Sequence, residues 1–178
     1  MQQRRLPHQY PEGRALFLTW HLYGSVPASR FPAPHDLSAG QAFVWIDRYL
    51  DTTRTGPLWL KREEIARLVA GAIHHSAQHL RYYDLEAYVV MANHVHLLVW
   101  PRAVAPKFLH SLKGYTAREA NKILGRTGQP FWQKESYDYW VRDSAELERI
   151  RRYIERNPVK AGLVSRVEDY PWSSASGA

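Results

Sequence analysis

The spacing of apolar residues changes along the chain, and each change marks an element. Residues 15–23 (Ala-Leu-Phe-Leu-Thr-Trp-His-Leu-Tyr) are aromatic or branched on both sides of an extended backbone, which predicts a central β-strand. Ile65, Leu68, Val69, Ala72, Ile73 and Ser76 recur at i, i+3, i+4, i+7 and i+8, so 61–80 is a helix. Two apolar runs, 83–91 and 94–100, are parted by Ala92-Asn93. They predict two strands in a tight hairpin, the second stopped by Pro101. Helical spacing returns over 106–124, with Pro106 suited to the first turn. Phe108, Leu109, Leu112, Thr116, Ala120, Ile123 and Leu124 form its buried side. Residues 131–142 are aromatic and irregular, with a short strand at their end. A last helix starts near Asp143, with Glu146 as a capping-box partner, and stops at Arg156 or Asn157 ahead of Pro158.

The intervals between these elements organise the rest. Residues 1–13 read as a polar arm and 14–178 as one domain. Residues 24–57 are an elaboration on it: a loop with Pro27, Pro32 and Pro34, a short helix over 41–50, and loop again from Asp51 to Pro57. Ala42, Phe43, Ile46 and Leu50 share one side of that helix. The tail from Val159 is loop, packing Leu163, Tyr170 and Trp172 on the body.

Composition narrows the class. The chain has 178 residues, 45% apolar and 13% aromatic, enough for a real core and too apolar for disorder. No run of eighteen apolar residues predicts a membrane span, and the basic start has no apolar stretch behind it. The absence of cysteine excludes disulfides and thiolate metal sites and fits a cytoplasmic protein. With 24 Lys and Arg against 17 Asp and Glu, the net charge of +7 favours a polyanionic partner. A soluble basic enzyme with no nucleic-acid role has the same balance.

The candidate chemistry centres on His94 and His96. Side chains two apart on a strand leave the same face, so both imidazoles project together while Val95, Leu97 and Val99 take the other face. Two imidazoles on a rigid strand are most of a metal site. His21 is a candidate for the same face, though such a histidine is more often simply packed. His75 and His79 lie one helical turn apart but lack a third ligand at motif spacing. On the last helix, Leu147, Ile150 and Ile154 make the apolar stripe, and Tyr153 sits about 90° from it at ~100° per residue. Arg149 and Asn157 lie one turn either side of Tyr153, with Arg152 and Arg156 beside them. This supplies a phenol, an amide oxygen and guanidiniums for phosphate. Lys113, Arg118 and Arg142 join Arg149, Arg152 and Arg156 as candidate DNA contacts. A phenol with a free pKa of about 10 is a weak nucleophile and needs help. Mg²⁺ or Mn²⁺ on His94, His96 and the Asn157 carbonyl oxygen would give it.

Several of these stretches resemble a known family. Met-Ala-Asn-His-Val-His-Leu-Leu-Val at 91–99 resembles the histidine–hydrophobe–histidine motif of single-tyrosine HUH transposases. Arg-Tyr-Ile-Glu-Arg-Asn-Pro-Val-Lys-Ala-Gly-Leu-Val at 152–164 resembles the signature of their REP-associated branch. Ser-Leu-Lys-Gly-Tyr-Thr-Ala at 111–117, Phe-Trp-Gln at 131–133, Tyr-Asp-Tyr-Trp-Val-Arg at 137–142 and Tyr-Pro-Trp-Ser-Ser-Ala at 170–175 support it. The resemblance spans about 15–175. Ala92 departs from it, standing where relatives commonly have proline.

The resemblance implies an α+β, ferredoxin-like antiparallel sheet backed by helices. It implies metal-dependent cleavage and rejoining of single-stranded or hairpin DNA, with Tyr153 forming a 5′-phosphotyrosine link. His94 and His96 match the metal pair, and Asn157 matches an amide ligand position. Two other functions fit these residues: a hairpin-binding protein without catalysis, and a metal hydrolase of small substrates. The sequence is compatible with a monomer or a homodimer. If the nuclease reading holds, the Tyr153 hydroxyl should face both imidazoles across a cationic groove.

Overall fold

A computed structural model describes residues 13–27 and 38–176. The expected arm, apart from Gly13, and the proline-rich stretch at 28–37 lie outside the described residues. Four strands form one antiparallel sheet in the order β2-β3-β1-β4: β1 Leu16–His21, β2 Tyr83–Val90, β3 His94–Pro101 and β4 Tyr137–Trp140. Four helices accompany them: α1 Ala39–Thr52, α2 Glu63–Gln78, α3 Ala105–Ile123 and α4 Ser144–Lys160. With α1 and α4 set aside, the order strand–helix–strand–strand–helix–strand is the ferredoxin-like α+β arrangement.

Strand alternation sorts the core into two layers. Leu16, Leu18 and Trp20 of β1 and Val95, Leu97 and Val99 of β3 pack with Ile65, Val69 and Ile73 of α2 and Phe108 and Leu112 of α3. Each fully buried side chain of this kind is worth about 1.5–3 kcal/mol. On the other face, Phe17, Ala87, Val89 and Leu98 pack under Ile154 of α4, with Leu147, Ile150 and Tyr153 of α4 and Phe43 of α1 alongside. Thr19, His21, His94 and His96 belong to this second face. The β1–β3 register sets Thr19 opposite His96 and His21 opposite His94.

The β2–β3 hairpin turns at Ala92-Asn93 and closes with Met91 N–H donating to the His94 carbonyl at 2.8 Å. The tail covers the edge strand β2: Val90 N–H donates to the Trp172 carbonyl at 2.8 Å and Ser174 N–H to the Tyr88 carbonyl at 3.0 Å. Leu163, Tyr170 and Trp172 all pack on the core as expected.

Several boundaries differ from the reading above. A 3₁₀ turn, Trp59–Lys61, precedes α2, which starts at Glu63. Ile123 is 41% exposed rather than buried, because it falls at the last residue of α3 beyond the reach of α2. Helix α1 continues through Asp51 to Thr52 and begins with a full capping box between Ser38 and Gln41, so Asp51 is helical and not loop.

Helix α4 runs through Pro158 to Lys160. Proline costs most in a helix interior; here it falls in the last turn. What stops α4 is Gly162, at φ +69°, in a Schellman cap. Gly162 N–H donates to the Val159 carbonyl at 3.0 Å and Leu163 N–H to the Pro158 carbonyl at 2.9 Å.

At the other end of α4, Asp143 caps Glu146 N–H at 2.8 Å. The Glu146 carboxylate does not return to the cap residue's own N–H. It takes the Arg142 backbone N–H at 2.8 Å, the Arg142 and Arg149 guanidiniums and the Tyr139 hydroxyl. The Arg142 guanidinium is the main reason its pKa is pushed down to about 2, against the opposing effect of desolvation. A depressed carboxyl pKa stabilises the fold above the ordinary value near 4.5, and the stabilisation is lost as pH falls toward 2. Arg142 and Arg149 are exposed, so solvent screens the gain. Glu146→Gln is expected to cost about 1–2 kcal/mol in urea unfolding at neutral pH. The difference from wild type should shrink below pH 4; a constant difference would show that charge is not the cause.

Candidate active site

Strand β3 is central, so its residues are held by pairing on both sides before any side chain is considered. That backbone fixes His94 and His96 side by side on the face toward α1 and α4, with ring centroids 4.7 Å apart. Both are fully buried. Each ring is oriented by a bond to its Nδ1. His94 Nδ1 lies 2.7 Å from Asn93 Oδ1, and the Asn93 amide donates to the Leu50 carbonyl at 3.1 Å. That second bond decides which end of the Asn93 amide accepts, so His94 carries its proton on Nδ1 and turns a bare Nε2 to the site. His96 Nδ1 lies 2.7 Å from Thr19 Oγ1, its cross-strand neighbour, and Phe17 stacks on the ring at 5.6 Å. These are the outer contacts that metal-binding histidines use.

Helix α1 brings the acid. Asp47 and Asp51, one turn apart, point toward the imidazoles. Asp47 Oδ1 is 3.1 Å from His96 Nε2 and 4.0 Å from His94 Nε2. Asp51 Oδ1 is 3.6 Å from His94 Nε2. His94 Nε2, His96 Nε2, Asp47 Oδ1 and Asp51 Oδ1 are all buried without a hydrogen-bond partner among the described residues. Buried polar atoms left unpaired are costly, and a converging set of them fits a cation. Asp47, His94 and His96 offer ligand atoms all within 4.8 Å of one another, a set that can hold a divalent metal ion.

The electrostatics suit such ligands. Burial drives His94 well below the ordinary imidazole range, reinforced by the neighbouring His96, and leaves it neutral. Burial alone would raise the Asp47 carboxyl; His96, His94 and the Tyr153 hydroxyl outweigh it and hold Asp47 below the usual range. Neutral imidazole and ionised carboxylate are the forms that bind metal. Asp51 is raised, by burial first and by the Asp47 charge second.

Tyr153 reaches this cluster from α4. Its ring meets His96 at 5.6 Å and Phe17 at 6.3 Å, and its hydroxyl donates to Asp47 Oδ2. Burial, followed by the Asp47 charge, raises the phenol's pKa, so the proton is held firmly. Asn157, one turn on, is fully buried with both amide atoms unpartnered among the described residues. Lys160 closes the same flank, its ammonium 2.8 Å from Asp51 Oδ2 and 5.6 Å from the Tyr153 ring centroid. Tyr153 therefore meets His96 and Asp47 within one chain. Beside it Arg152, Arg156, Val159 and Lys160 line an open groove of ≈360 Å³.

The other candidate cations are arranged differently. Arg142 and Arg149 are engaged by Glu146, Arg152 by Glu148 and Arg118 by Glu119. Lys113 turns inward, its ammonium held by the Gln133 carbonyl at 2.8 Å and the Lys134 carbonyl at 3.1 Å. Burial lowers its pKa to about 8. Arg118 lies over the exposed Tyr115 ring at 5.7 Å. His21 shares the histidine face but is satisfied by Ser25 Oγ at 2.8 Å, and burial pushes it down to about 4. His75 and His79 stack on each other at 4.9 Å, away from the site.

Asp47, Asp51, Asn93, Thr19 and Lys160 have no site role in the reading of the sequence. A signal existed for the acids. At ~100° per residue Asp47 lies about 40° from Phe43, on the flank of the apolar stripe, and Asp51 follows it one turn later. Ending the helix at Leu50 concealed the pair.

Comparison with known proteins gives the family and the fold. The model of the family described as "Transposase IS200 like" matches residues 41–157. A Haemophilus influenzae protein named as a REP-associated tyrosine transposase is 42% identical over 43 residues. That match covers 24% of this chain and 24% of the relative, so the chain spans about a quarter of the curated relative it matches. A solved REP-associated tyrosine transposase, bound to a REP hairpin, superposes with a TM-score of 0.59 at 18% identity, over 98% of this chain and 82% of the other. At that identity the likeness speaks for the fold. The family match covers more than half of the chain and includes Asp47, His94, His96, Tyr153 and Asn157, and on it the chain belongs to the IS200-like transposases.

Proposed function

We propose that this protein is a metal-dependent single-strand DNA endonuclease and strand transferase that acts at hairpin DNA through a 5′-phosphotyrosine intermediate. The observation that carries it is the Tyr153 hydroxyl, hydrogen-bonded to Asp47 in a buried cluster where Asp47, His94 and His96 offer ligand atoms within 4.8 Å of one another. The family match supports action on DNA, and the solved relative of like fold holds a REP hairpin.

His94, His96 and Asp47 would hold Mg²⁺ or Mn²⁺, with Asn157 as a candidate further oxygen ligand. A bound divalent ion supplies positive charge that polarises a non-bridging phosphate oxygen and offsets the local carboxylates. The chain's own residues do the rest. Asn93 fixes the tautomer and direction of His94, and Thr19 fixes the direction of His96. Phe17 and His96 fix the Tyr153 ring, so its oxygen is presented in one place. In the reaction the Tyr153 oxygen bonds to phosphorus, and the phenolic proton leaves along its hydrogen bond to Asp47. The P–O3′ bond breaks, and its electron pair goes to the 3′ oxygen, which takes up that proton from Asp47 through water. Rejoining reverses these steps with a new 3′-hydroxyl.

The test is incubation with a hairpin oligonucleotide carrying a single-stranded flank, with Mn²⁺ or Mg²⁺. Wild type should give a covalent protein–DNA adduct and a free 3′-hydroxyl, both absent with EDTA. Tight hairpin binding without any adduct would favour the non-catalytic binding protein instead.

A further inference from the structure

We propose that Lys160 is a catalytic residue of this same site, its ammonium contacting the phosphate that Tyr153 attacks; this rests on the nuclease reading above. Three observations converge on it. First, the site carries two buried carboxylates. Asp47 and Asp51 side chains are 5% and 4% exposed, and they stand beside the place where an anionic phosphate must approach the Tyr153 oxygen. Their repulsion on that phosphate needs a cation on the solvent side. Second, Lys160 is where such a cation is needed. Its ammonium is 2.8 Å from Asp51 Oδ2, 4.0 Å from Asp47 Oδ2 and 5.6 Å from the Tyr153 ring centroid. Third, it is not sealed in. Its side chain is 53% exposed and forms a wall of the groove shared with Arg152, Tyr153 and Arg156. Arg152, Arg156 and Lys160 recur at four-residue intervals on α4, so the three cations line one side of that groove and Lys160 is the one at the reacting end.

An ammonium has three donors and no acceptor. One donor on Asp51 leaves two for non-bridging phosphate oxygens. Asp51 thus acts as the tether that aims the lysine. Charge builds on those oxygens during attack, so a cation fixed beforehand stabilises the transition state more than the bound ground state. No proton is transferred by Lys160 in this role.

The experiment measures adduct formation in single turnover at saturating hairpin oligonucleotide and saturating Mn²⁺, alongside oligonucleotide Kd and Mn²⁺ affinity. Lys160→Met should slow the first-order rate about 10²–10³-fold, as loss of one preorganised donor does. Hairpin Kd should move by less than about fivefold, one phosphate contact among several. Lys160→Arg should recover most of the rate by keeping the charge. Lys160→Met could act merely by leaving Asp51 unneutralised, and the double variant Lys160→Met with Asp51→Asn separates the two. If Lys160 touches the phosphate, the double variant stays slow. Recovery of the wild-type rate in the double variant would overturn the proposal and leave Lys160 a structural partner of Asp51. An unchanged rate in Lys160→Met would overturn it outright while leaving the nuclease reading intact. If wild type itself forms no adduct, the nuclease reading falls first, and the proposal with it.

Discussion

Tyr153→Phe is expected to abolish the covalent adduct, a loss of about 10⁴-fold or more in cleavage, while hairpin affinity changes less than about threefold. The size follows from chemistry: the variant lacks the only atom of Tyr153 that can bond to phosphorus. The selectivity follows from packing. The Phe ring keeps the contacts to His96 and Phe17, so the cavity stays shaped and the groove stays lined. The hydroxyl's loss frees Asp47 Oδ2 but leaves the ligand-facing Oδ1 untouched. Metal affinity should therefore be kept. Denaturing gel analysis of labelled oligonucleotide gives the adduct and filter binding gives the affinity. Cleavage by the Phe variant at the wild-type rate would mean that Tyr153 is not the nucleophile.

The second large effect is expected at Asp47. Asp47→Asn keeps the shape and an oxygen but removes the negative charge from the ligand set. Mn²⁺ affinity should fall at least ~100-fold, and adduct formation with it. Stability without metal should fall at neutral pH, because the folded state holds the Asp47 carboxyl below its usual range and so favours its charged form. The stabilisation that added metal gives wild type, about 2.7 kcal/mol at a hundred times Kd, should vanish in the variant at the same concentration. Thermal unfolding with and without Mn²⁺ reads this directly. A variant that still gains the wild-type shift would exclude Asp47 from the metal site.

The two variants probe residues that differ in how readable they were. His94 and His96 were readable as a pair because strand geometry alone puts residues two apart on one face. Tyr153, Arg152, Arg156 and Asn157 were readable as one flank for the same kind of reason, since helical pitch is fixed by the backbone. The sheet-and-helix order followed from where the spacing changed from two to three or four. The end of α4 was misjudged because Pro158 was weighed as a stop, whereas the Gly162 cap sets the end.

Asp47 and Asp51 were not readable as ligands. Their helix is an addition to the ferredoxin-like core, and nothing in local spacing says which face of the sheet it covers. Lys160 was missed in the same way, since its partner Asp51 is 109 positions away. Likewise the pairing of Arg142 and Arg149 with Glu146, and of Lys113 with two loop carbonyls, could not be read from the sequence.

Sequence by itself therefore determined the periodic features: the paired imidazoles, the cationic flank with its phenol, and the α+β order. Those depend on bond geometry and pitch, which act over a few residues. Tertiary structure alone decided that α1 folds over the histidine face, that Asp47 meets both His96 and Tyr153, and that Lys160 stands at the mouth of the cavity. Such meetings are set by the packing of whole layers, where burial selects the arrangement and the polar groups must then find each other across it.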